Sequence, residues 1–90
     1  MATCTNQKSA PAFNGQSALV TLNSTDAAAI LPTLVAGRQA TVGSSSKLGY
    51  VVNPDTHGST FEVVPVNEAV RFDSSSTPGI LNATETITLA

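Results

Sequence analysis

Side chains able to do chemistry are sparse in this 90-residue chain. His57 is the only histidine and Cys4 the only cysteine. His57 lies in Asn53-Pro54-Asp55-Thr56-His57-Gly58-Ser59, where Asp55 and Ser59 could complete a nucleophile, base and orienter. The same residues are the ingredients of a turn. Proline presets φ, aspartate bonds its own backbone and glycine admits φ > 0. The turn is the simpler reading, and it makes His57 a solvated turn residue. Cys4 stands in a polar stretch without a nearby base, so it reads as a passive thiol.

Ligand and phosphate patterns fare no better. One histidine and one cysteine do not make a zinc or transition-metal set. The six carboxylates, Asp26, Asp55, Glu62, Glu68, Asp73 and Glu85, lack the clustered spacing of a calcium loop. Their spacing alone leaves a glycosidase pair open, yet a chain this short has little room for a sugar cleft. Gly43-Ser44-Ser45-Ser46-Lys47 looks like a phosphate loop, but no glycine precedes Lys47 and Leu48 stands where the magnesium-binding hydroxyl belongs. Four cations, Lys8, Arg38, Lys47 and Arg71, are too scattered for phosphate-led nucleic-acid binding. No catalytic, cofactor or metal residue is assigned, and the chain reads as a non-enzyme.

Composition agrees. Only 10 of 90 residues are charged, against about 22 in a typical soluble domain. Serine and threonine, 22 together, replace them. A charge-poor surface has few ions to strip of water and is therefore inexpensive to bury. Size scaling gives a folded surface of about 4,900 Å², enough burial for one domain without disulfides. No stretch approaches the roughly 18 apolar residues of a membrane span. No basic start followed by an apolar run marks a signal peptide, which points to synthesis in the cytoplasm without export by that route.

The elements that would position any site are mostly strands. Residues 1–16 lack periodicity and read as an extended arm, with Phe13 either a peg on it or the start of the first strand. The body is residues 17–90. Ser17–Leu22 reads as a strand, and Asn23-Ser24-Thr25-Asp26 offers caps for one short helix within 25–35, limited by Pro32. Gln39–Val42 reads as a strand. Lys47–Val52 and Ser59–Val66 form a hairpin across the 53–58 turn. Alternation puts Leu48, Tyr50 and Val52 on one face of the first strand, and Phe61 and Val63 on one face of the second. Val51, Val64 and Val66 fall on the opposite faces. Ala69–Phe72 and Ile80-Leu81 are shorter candidates. In Thr84–Leu89, Thr84, Thr86 and Thr88 face one way and Glu85, Ile87 and Leu89 the other. That tail is expected to join a sheet, its own or a neighbour's. The fold expected is an all-β small barrel or sandwich of five to six short strands, with one short helix and an extended N-terminal arm.

With its polar arm from Met1 to Gln16 and a Ser/Thr/Ala/Val-rich β body through Leu89, the chain resembles small virion proteins of tailed bacteriophages, especially capsid decoration (cement) proteins. The resemblance is one of composition and organisation, without a diagnostic motif. It implies a small β domain, often trimeric, that sits on the outer shell of the virion and staples the major capsid protein against the pressure of packaged DNA. It further implies that the arm, with Phe13, pairs with the shell. Outward apolar residues near Val51, Val64 and Val66 would pack against sister copies. No cofactor, nucleic acid or membrane partner is implied. Three other classes stay open. A host-binding or fibre-tip module would show an aromatic-rich sugar site, against which stand a single tyrosine, three phenylalanines and no tryptophan. A small hydrolase would need a polar cluster. Another tail or scaffold subunit would usually be longer.

Overall fold

The computed structural model describes residues 2–12, 16–43, 47–53, 59–66 and 80–90. Eight strands lie within them: β1 (Ala2–Thr5), β2 (Ala10–Pro11), β3 (Ala18–Thr21), β4 (Gln39–Val42), β5 (Lys47–Val52), β6 (Thr60–Pro65), β7 (Ile80–Leu81) and β8 (Thr86–Leu89). Among the described residues a single α-helix, α1 (Ser24–Ile30), continues into a 3-10 turn at Leu31–Thr33. The fold is all-β. Six strands form one curled antiparallel sheet, a half-barrel, in the order β1-β8-β4-β5-β6-β3, and β2 pairs separately with β7.

Period-two patterning decides the faces. Val20, Val42, Val51, Phe61, Val63, Ile87 and Leu89 point into the curl, each at 1% exposure or less. Threonines and half-buried apolar residues occupy the outer side. The accessible surface is 4774 Å², close to the scaling value of about 4,900 Å². The radius of gyration is 11.5 Å, near the roughly 12 Å usual for this length.

Helix α1 starts at Asn23, whose side-chain oxygen accepts the Asp26 N–H at 2.7 Å. Asparagine, one residue ahead of the expected Ser/Thr/Asp oxygens, supplies the cap. Ala27 and Ile30, one turn apart, face the core. Pro32 falls in the first turn of the 3-10 segment, where its missing N–H is not needed.

The greatest departure from expectation concerns residues 2–12, the part of the expected arm that the structure describes: its strands pair with strands of the body. β1 pairs along its whole length with β8, from Ala2 opposite Leu89 to Thr5 opposite Thr86. Ala10 and Pro11 pair with Leu81 and Ile80. Cys4 and Ala12 are core residues. Small side chains still bury completely against a packed core, so a segment poor in large apolar residues is held. The expected strand at 69–72, residues 54–58 of the expected turn, with His57, and Phe13 lie outside the described residues.

Candidate interface on the outer sheet face

Among the described residues, two surfaces of the sheet could meet a partner: its edges and its outer face. One end of each edge is capped by the chain itself. Antiparallel register points the backbone groups of Thr5 away from β8. The Thr5 N–H is met by Asp26 Oδ2 at 3.2 Å, and the Thr5 carbonyl accepts from Gln7 Nε2 at 3.2 Å. At the other edge, the Thr21 N–H donates to Asn6 Oδ1 at 3.0 Å and the Thr21 carbonyl accepts from the Gln7 N–H at 2.8 Å. The chain leaves β8 at Asn6 and reaches β3 at Gln7, joining the two edges of the half-barrel.

Asn6 is the node of that junction and is fully buried, at 0% exposure. Its Nδ2 donates to the carbonyls of Lys8 and Asn82, both at 2.9 Å. Its own backbone donates to Glu85 and accepts from Thr84. Thr84 there adopts φ 76, a left-handed conformation strained for a β-branched residue. Sequence reasoning passed over Asn6. An isolated asparagine in a polar stretch carries no spacing signal; its role exists only through partners 15 and 76 residues away.

The outer face follows from register. Tyr50 lies opposite Val64 and Gln39, Val52 opposite Glu62, and Glu62 opposite Leu19. Leu48 lies opposite Thr41, Thr41 opposite Thr88, and Thr88 opposite Thr3. The Val66 N–H bonds the Leu48 carbonyl, extending that row to a fifth strand. The result is a strip of Leu48, Tyr50, Val52 and Val64, all half-buried, ending in Val66 at 37% and Leu19 at 44% exposure. Threonines border it: Thr3, Thr41 and Thr88 on one side, Thr21 and Thr60 on the other. Glu62 is the one charged side chain within the strip. Its two oxygens accept from Ser17 Oγ at 2.9 Å and Asn53 Nδ2 at 3.0 Å.

Of the residues expected outward, Val64 and Val66 are on this face. Val51 is not: it is 0% exposed, paired with Val63 inside the curl. Its alternation within β5 is right, but the parity between β5 and β6 depends on turn length, which strand patterning alone does not fix. Phe13 lies outside the described residues. Threonine-rich β8, expected to join some sheet, is an inner strand of its own sheet between β1 and β4.

A hollow of about 120 Å³ is lined by Gln39, Ala40, Thr41, Leu48, Thr88 and Ala90, below the ~300–1,000 Å³ of ligand pockets. Arg38 donates to the Ala90 carbonyl at 2.7 Å and to Thr33 Oγ1 at 3.2 Å. Among the described residues no three of His, Cys, Asp or Glu gather as a metal set. Burial, reinforced by the negative charge of Asp26, pushes the Cys4 thiol up to about 11, so it stays protonated at neutral pH. No described helix is long and apolar enough to cross a membrane. No protein-family model, curated protein or solved structure matches the chain.

Proposed function

We propose that this protein is a non-enzymatic structural subunit that binds the outer shell of a capsid and stabilises it, as a decoration protein does. The observation that carries the reading is the outer sheet face: an apolar strip bordered by threonines, with one carboxylate whose oxygens are already hydrogen-bonded. Such a surface loses little when water leaves it, because almost no charge must be stripped. Its pattern of an apolar centre and an uncharged polar border matches the anatomy of protein–protein interfaces. The capped ends of the edges at Thr5 and Thr21 add support. A subunit present in many copies at high local density is safer from edge-to-edge aggregation when its edges are blocked.

Under this reading the chain is a virion component, its partners are the major capsid protein and sister copies, and it needs no cofactor. The test is co-sedimentation of the purified protein with empty phage capsid shells, followed by thermal disruption of those shells. Saturable attachment and a raised disruption temperature are expected. Shells that neither retain the protein nor gain stability would reject the role.

A further inference from the structure

We propose that β1 is a hinged strap: it swings off β8 about Asn6 while the rest of the sheet stays folded, which uncovers Cys4 and turns β8 into an open edge. The proposal does not rest on the decoration role.

The hold on β1 is slight. It is an edge strand, paired in its sheet with β8 alone. Thr5 directs its backbone away from β8, so only Ala2 and Cys4 exchange ladder bonds, with Leu89 and Ile87. Cys4 is the one core side chain of the strand; Ala2 and Thr5 are half-buried and Thr3 is exposed. On the far side, among the described residues, the strand is held at Thr5, by Asp26 and Gln7. Against these contacts stands the conformational entropy of four ordered residues. Two ladder pairs and one small buried side chain outweigh that cost only narrowly.

The hinge is set by Asn6, where opening stops. Its side chain holds Lys8, Asn82 and Thr21, and its backbone holds Thr84 and Glu85. None of these partners belongs to residues 2–5, so the node survives when the strap leaves. The core survives too, since Val20, Val51, Phe61 and Val63 come from β3, β5 and β6.

An open strap frees the backbone groups of Ile87 and Leu89, the start of a ladder for an incoming strand. Docked, β1 occupies them. Strand pairing at β8 is thereby gated: an incoming strand binds more weakly in proportion to the small fraction of open molecules.

Cys4, the only cysteine, reports the motion. Buried, its thiol stays protonated and shielded, so a disulfide reagent reaches it only from the open state. The full native chain is labelled with dithionitrobenzoate at neutral pH, in urea concentrations below the unfolding transition. Labelling should run roughly 30- to 300-fold slower than in the unfolded chain, against about 10⁴-fold or more if the whole molecule had to unfold. Its urea dependence should be much shallower than that of global unfolding, because little surface is exposed. Val51→Ala, in the core of β5, should lower the urea midpoint and leave the labelling rate unchanged. If that variant fails to fold, the urea slope of the native chain decides alone. A chain lacking residues 2–5 should keep a folded body of lower melting temperature. Labelling that shares the slope of global unfolding, or speeds up with Val51→Ala, overturns the proposal. So does labelling as fast as in the unfolded chain, or a truncated chain that has no folded body.

Discussion

Asn6 makes six hydrogen bonds while fully buried, through both side-chain atoms and both backbone groups. Replacing it with alanine removes four side-chain hydrogen bonds, to the Lys8 and Asn82 carbonyls and from the Lys8 and Thr21 N–H groups. Each contributes about 0.5–1.5 kcal/mol net, so Asn6→Ala should lower unfolding free energy by roughly 3 kcal/mol, read from urea denaturation. A loss below about 1 kcal/mol would mean that the junction is held by something else. Cys4 gives a second residue-scale expectation. Its thiol is raised from 9.0 to about 11 in the folded chain. Between those values the unfolded chain releases a proton that the folded chain keeps, so stability falls as pH rises. The full contribution is present below pH 9 and is lost through pH 11. The fall should reach roughly 2 kcal/mol, and Cys4→Ala should flatten that part of the profile.

At the scale of elements, β1 changes the meaning of the N-terminus. Its polar composition suggested an arm, because Thr3, Thr5, Gln7 and Lys8 leave few large apolar side chains to bury. Pairing with β8 supplies instead a backbone ladder, and the small side chains of Ala2 and Cys4 fit against Leu89 and Ile87. Deleting residues 2–5 should therefore unfold the domain or depress its melting temperature by more than 10 °C, roughly 2 kcal/mol at this size. A truncated chain that melts like the full one would restore the arm. Other elements were legible beforehand. Gln39–Val42 and Lys47–Val52 occupy the expected residues. The inward and outward sets of β8 also follow its alternation, with Ile87 and Leu89 buried. A strand buried on one side writes its period into the sequence.

For the whole molecule, the shortage of charge and the partly capped edges describe one surface strategy. The edges are capped at Thr5 and Thr21, and the face is inexpensive to dehydrate. The decoration proposal rests on that combination. Composition determined the charge-poor surface, and alternation determined the all-β class with most faces of individual strands. These are local properties, carried by residue types one or two positions apart. Register, the closure at Asn6 and the identity of the outer strip were decided only in three dimensions. Val51 shows why: a single residue of parity across a turn moves it from contact surface to core beside Val63. Asn6 shows the other limit, since its partners are assembled by the curl of the sheet, and no spacing along the chain announces them.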